Sequence, residues 1–141
     1  MQKLLIPFDG SDNAARALDY ALRLAKRTPT QLHVVTVHPE SVVYGEIQVY
    51  VSKEKMDELQ RKHCEDILQS ALDAARAAGV PVTSEILTGD TAAAIVARAE
   101  ALGCDSIVMG TRGMGAVGNL VMGSVATKVV HLTKLPVTLV K

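Results

Sequence analysis

Residues 106–124 read SIVMGTRGMGAVGNLVMGS. A short apolar run, Ser106–Met109, is followed at once by glycines at 110, 113, 115, 118 and 123. An apolar run of this length without polar alternation is the mark of a strand buried on both faces. Glycines directly after it let the backbone turn sharply and present bare N–H groups. A helical pattern resumes from about Ser124 to Leu132. The unit reads as strand, loop, helix, and it sets the expectation for the rest of the chain.

The same unit recurs on both sides. Lys3–Pro7 (KLLIP) reads as a buried strand, and Ser11 then caps a helix with Asp12 in its positive first turn. Ala14, Ala17, Leu18, Ala21, Leu22 and Ala25 follow at helical spacing, Lys26 and Arg27 suit the negative end, and Thr28–Pro29 stops the helix. Leu32–Val37 is a second strand. Residues 39–51 exceed an ordinary connection and read as a loop with some packing of its own. Ser52–Ala78 reads as a long helix with Met56, Leu59, His63, Ile67, Ala71, Ala74 and Ala78 on its inner stripe, ended by Gly79 and Pro81. Val82–Leu87 is a more polar strand. A helix capped by Asp90 or Thr91 runs through Ala101 to Gly103, and Pro136–Val140 (PVTLV) is the last strand. Strict alternation of strand and helix, with right-handed crossovers, gives a doubly wound α/β/α sandwich on a parallel sheet. Such sheets bind ligands at the carboxyl ends of their strands. The loops at Pro7–Ser11 and Gly110–Ser124 are therefore expected to flank a crevice.

Bulk composition narrows the function. The 141 residues, 48% apolar, suit one domain over 1–141 with an aliphatic core. Phe8, Tyr20, Tyr44 and Tyr50 are the only aromatics, too few for a base-stacking platform. Net charge is zero, which gives no general attraction to nucleic acid or membrane. All 15 acids lie at or before Asp105, and beyond it stand only Arg112, Lys128, Lys134 and Lys141. That asymmetry favours an anionic ligand near the glycine loop. Cys64 and Cys104 are far apart with no CxxC, which suits a reducing compartment. Cys64 reads as a helix-face thiol and Cys104 as a buried one. The amino terminus has no leader pattern and no apolar run is long enough to span a membrane, so a cytoplasmic location is expected.

Three readings of the glycine loop compete. Gly113–Gly118 spells GxGxxG, but the dinucleotide fingerprint needs a following acid for the ribose, and no acid follows. Gly118–Ser124 has the gap of a Walker A loop, but no Lys stands between Gly123 and Ser124. The third reading is Gly110-x2-Gly113-x9-Gly123-Ser124. Here Gly110 turns off the strand toward a ligand, Gly113 and Gly115 leave N–H groups open, and Gly123–Ser124 starts a helix whose amides attract phosphate, with the Ser124 hydroxyl at the cap. Arg112 either lies along the phosphates or points to solvent.

With this third spacing the whole chain resembles the universal stress protein family in its ATP-binding branch. The resemblance is carried by KLLIPFDGSDNAARAL, HVVTVHP, LTGDTAAAIVARAEALGCDSIVMGTRGMG and GSVATKVVHLTKLPVTLVK. It implies a five-stranded parallel sheet in the order 3-2-1-4-5 with two helices on each face. It also implies an ATP site, with Mg a possible companion. Pro7, Phe8 and Asp9 would lie in the loop after the first strand, with Asp9 at the ribose or the metal-bound phosphates. The Val37 backbone would read the adenine edge, and Met109 and Gly110 would lie along the nucleotide. Arg112, Gly113, Gly123, Ser124 and Val125 would surround the phosphates, with Gly115 in the same loop. The family often pairs through its last strand, so a homodimer through Pro136–Val140 is expected; an apolar edge strand asks for such cover.

The remaining residues point elsewhere. Asp9 could instead cap the first helix. His33, His38, His63 and His131 show no metal-ligand spacing, and no nucleophile–base set stands out, so neither a metal site nor a catalytic residue is assigned. Met109, Met114 and Met122 read first as packing residues. The expected function is an adenine-nucleotide-binding regulatory dimer of the stress response, with at most slow hydrolysis. A dimeric interaction module that makes no use of nucleotide and a weak ATPase are the alternatives.

Overall fold

A computed structural model of the chain describes residues 1–38, 52–113 and 122–141. Its elements are β1 (Gln2–Pro7), α1 (Asp12–Arg27), β2 (Thr30–His38), α2 (Lys53–Ala78), β3 (Val82–Thr88), α3 (Thr91–Ala101), β4 (Ser106–Gly110), α4 (Ser124–Leu132) and β5 (Val137–Val140). The five strands form one sheet in the order β3-β2-β1-β4-β5, and every pairing is parallel. The reading of 39–51 lies outside the described residues.

The sheet is buried on both faces because its apolar strands alternate between two cores. Leu4 and Ile6 of β1 pack with Leu18 and Leu22 of α1 and with Leu68 and Ala71 of α2. Leu5, between them, faces Ile95 and Ala99 of α3 and Val129 of α4. In β4 the same alternation sends Val108 to the first core and Ile107 and Met109 to the second. Burial on both sides is why these strands show no polar alternation in sequence.

The helix ends follow their local chemistry. Ser11 caps α1 by accepting from the Ala14 amide at 3.2 Å, and Asp90 caps α3 through Ala93 at 3.2 Å. Gly79 ends α2 in the left-handed region, at φ 71°, which any other residue adopts at a cost.

The inner stripe of α2 differs from the sequence expectation. Its buried residues are Cys64, Leu68, Ala71 and Ala75. Leu59 is 59% exposed, and His63 and Ala74 are exposed as well. The true stripe is rotated by about one residue from the expected one. Alanines at 71, 74, 75, 77 and 78 spread over nearly half of the helix circumference, so the inner side of the last turns carries little contrast. Packing against β2 and β3 then decides the rotation.

A polar cluster ties α3 to the sheet, away from the strand ends that face the loops. His33 Nε2 donates to Glu85 Oε1 at 2.8 Å and its Nδ1 meets the Thr83 hydroxyl at 2.6 Å, while Arg98 pairs with the same carboxylate. Burial pushes the Glu85 carboxyl up, but hydrogen bonds and charge from Arg98 and His33 outweigh it and hold it below the ordinary carboxylate value. A depressed folded-state pKa stabilises the protein above the unfolded value of the group, and that stability is lost as pH falls through the folded value. Glu85→Gln is therefore expected to cost about 1–2 kcal/mol at pH 7 and to flatten the acid limb of stability below the ordinary carboxylate range. Urea melts of both proteins at pH 3 and pH 7 check this; an unchanged gap between them at the two pH values would rule it out.

Candidate functional site

A cavity of about 540 Å³ opens over the carboxyl edge of the sheet, within the size range of small-molecule and cofactor sites. It lies where the strand order reverses, between β1 and β4, the position favoured for ligands in doubly wound sheets. Pro7, Phe8 and Asp9 enter it from the end of β1, Val37 from β2, and Met109 and Gly110 from β4. Arg112 and Gly113 follow β4, and Gly123, Ser124 and Val125 form the start of α4. Every described candidate from the sequence thus lines one space; Gly115, like Met114 and Gly118, lies outside the described residues. The cavity wall also serves the core, since Phe8 and Met109 are 7% and 5% exposed.

Local bonds position each part. The loop after β1 is fastened to β2 by Phe8 N–H to the Val35 carbonyl at 2.8 Å and by the Thr36 hydroxyl to the Phe8 carbonyl at 2.9 Å. Asp9 Oδ1 accepts the Ser11 amide at 2.9 Å. Capping of α1 therefore belongs to Ser11, and Asp9 shapes the approach to that cap while its carboxylate stays at the cavity. Gly10 takes φ 82° directly after it, which permits the turn into α1. Both ends of the glycine-rich segment are joined where the Gly123 amide donates to the Thr111 carbonyl at 2.7 Å.

Three details correct the sequence reading of the glycines. Gly110 is no turn residue: it is the last residue of β4 and pairs with Val140. A Cβ there would lie 2.8 Å from the Asn13 backbone carbon, so glycine is required by the close approach of α1 to β4. The cap of α4 is Gly123, with no side-chain capping bond, and Ser124 is the first helical residue. Since the Gly123 amide is spent on Thr111, the amides available at this helix start are those of Ser124, Val125 and Ala126, which have no intrahelical acceptor. At Gly113 an added Cβ would meet Asp9 Oδ2, so any larger residue would make that carboxylate move. The carboxylate of the β1 loop and the backbone after β4 are in contact.

The cavity therefore has a polar side, made of the α4 start with its partial positive charge, Arg112 and Asp9. Such an arrangement binds an anion, and a carboxylate beside it suits a cation accompanying that anion. Among the described residues no group of three His, Cys, Asp or Glu converges as metal ligands. No described helix is long and apolar enough to cross a membrane.

Sequence reasoning missed the other wall. His63, Cys64 and Ile67 of α2 and Thr91 and Ile95 of α3 also line the cavity. Thr91 could have been found, because helices after parallel strands start at this edge. Of the α2 residues, His63 and Ile67 stood on the expected inner stripe, but no local signal tied any of the three to the cavity, since that depends on how the long helix lies across β2.

Comparison with known proteins agrees with the architecture. The family model described as Universal stress protein family matches residues 1–141. The chain is 34% identical to Universal stress protein YxiE of Bacillus subtilis strain 168, over 99% of this chain and 98% of that protein. Universal stress protein UspA from Lactobacillus plantarum superposes with a TM-score of 0.85 at 22% identity, covering 99% and 97% of the two chains. A universal stress protein solved in complex with cAMP superposes with a TM-score of 0.74 at 25% identity, covering 99% and 97%.

Proposed function

The chain belongs to the universal stress protein family, and from that premise we propose that it is an adenine-nucleotide-binding regulatory protein of the stress response. The observation that carries this reading is that the β1 loop, Val37, the residues after β4 and the start of α4 line one shared cavity. Support comes from the relative of similar fold solved with cAMP. In this reading the nucleotide is ATP, its phosphates resting on the Ser124, Val125 and Ala126 amides with Arg112 alongside. Magnesium typically takes one or two carboxylates, waters and substrate phosphates, and Asp9 fits that part. The base would lie toward Val37. No residue at the site is placed as a general base, so ATP acts here as a ligand that favours one conformation, with hydrolysis slow at most.

We further propose that the protein pairs through its edge strand β5. Val137–Val140 is at the end of the sheet and each of its residues is only half-buried. An uncovered edge of this kind is a pairing template, and we assign it to a homodimer.

Two measurements test the reading. Denatured protein is examined for released adenine nucleotide, and the native protein is melted against rising Mg-ATP. At a hundredfold excess over Kd, linkage contributes about 2.7 kcal/mol, a rise of several degrees in Tm. Absence of both nucleotide and shift would move the assignment to an interaction module that makes no use of nucleotide. A monomer by sedimentation equilibrium would remove the dimer.

A further inference from the structure

The two sides of the cavity differ in chemistry. Gly113, Gly123 and Ser124 follow β4, whereas Val37, Cys64 and Ile67 stand over β2. In the sheet order β2-β1-β4 these sides are two strand spacings apart, about 10 Å. That is a span suited to a base at one end and phosphates at the other. On the β2 side Val35, Val37, Cys64 and Ile67 are uncharged, and His63 stands exposed on the same wall. Cys64 lines the cavity while only 4% exposed, and its thiol points at the Val37 carbonyl 4.0 Å away. Ile67 lies beside Gly10, where an added Cβ would meet the isoleucine side chain in ordinary contact at 3.5 Å.

We infer that Cys64 is a specificity-determining contact at the base end of the cavity, forming with Val37 and Ile67 the wall against which a purine ring packs. The inference rests on the nucleotide reading above and adds to it the residue that receives the base. Sulfur is soft and polarisable and packs well against aromatic rings. Its weak S–H donor leaves the Val37 carbonyl with capacity for a second hydrogen bond. That bond suits the exocyclic amine of an aminopurine; an oxygen in the same place would face the carbonyl oxygen. Burial pushes the Cys64 thiol up, the nearby Arg61 charge opposing and Glu65 adding to it. At neutral pH the group is thus a neutral thiol, suited to a base and not to a phosphate. A bound purine covers it.

Alkylation of the intact protein tests this. Iodoacetamide at pH 8 is followed by peptide mass spectrometry, with Cys104 as internal control. Cys104 is buried just ahead of β4, at the opposite edge of the sheet. Saturating Mg-ATP is expected to slow Cys64 labelling at least tenfold. Mg-tripolyphosphate, which reaches only the phosphate end, is expected to slow it less than twofold, and neither should change Cys104. Equal protection of both cysteines, or equal protection by the two ligands, would overturn the inference. So would Mg-ATP that raises Tm yet leaves Cys64 labelling unchanged, a result that spares the nucleotide reading. No Tm shift with ATP would remove both. In addition, Cys64→Ala is expected to weaken ATP by about three- to tenfold and to narrow the preference for ATP over GTP, with tripolyphosphate affinity unchanged. Parallel losses for ATP and tripolyphosphate, or no loss of either, would count against a contact with the base.

Discussion

Ser124→Asp is expected to lower affinity for Mg-ATP by about a hundredfold or more while leaving the fold intact. Ser124 is the first residue of α4, is exposed, and lines the polar side of the cavity. A carboxylate there stands where the proposed phosphates rest. Like charges placed together at an interface cost several kcal/mol, and about 2.7 kcal/mol corresponds to a hundredfold in Kd. The same carboxylate suits the helix itself, because acids in the first turn interact favourably with its dipole. Affinity and stability should therefore move in opposite directions, which a general loss of structure cannot imitate. Isothermal titration with Mg-ATP, paired with a thermal melt of the unliganded variant, reads both. Affinity within about threefold of the parent would show that phosphate does not sit on this helix.

Gly110→Ala is expected to destabilise the protein by about 3 kcal/mol, near the upper end of ordinary overpacking costs. Its Cβ would meet the Asn13 backbone carbon and Cβ at 2.8 Å and the Asn13 carbonyl oxygen at 3.0 Å. Those atoms belong to the first turn of α1, so relief requires the helix to move away from β4. Asn13 is itself buried, and Arg16 of the same helix donates to the Lys141 carbonyl at 2.6 Å, so α1 is held from both sides. A loss of this size in a chain of this length lowers Tm by roughly 10 °C. Gly123→Ala is the matched control. Its backbone has an ordinary φ of −78°, and a Cβ there would approach the Arg112 Cα no closer than 3.4 Å. It should melt within about 2 °C of the parent, a cost inside the range of innocuous substitutions. Equal melting of the two alanine variants would show that α1 shifts freely and that Gly110 is not constrained by packing.

Alternation of strands and helices, the helix stops at Thr28 and Gly79, and the cap at Ser11 were legible from the amino-acid sequence, and the cap of α3 was narrowed to Asp90 or Thr91. Each depends on residues within one or two turns of one another, so the pattern that causes the structure is the pattern on the page. The glycine spacing after β4 was legible for the same reason, and together with the β1 loop it pointed to the space those residues now line. Strand order came from resemblance to a family, because nothing in one strand names its neighbour.

Tertiary structure alone decided the rest. Which face of α2 turns inward was settled by the sheet, since alanines spread over much of its last turns and leave the helix little preference among neighbouring rotations. Gly110 looked like a turn residue but owes its identity to Asn13, nearly a hundred positions earlier in the chain. Ser124 looked like a cap, but the hydrogen bond from Gly123 to Thr111 starts the helix one residue sooner. Cys64 looked like an ordinary helix-face thiol until α2 was laid over the end of β2 and brought it to Val37. Packing between distant segments depends on shape and distance, and these leave no period in a sequence for local reading to find.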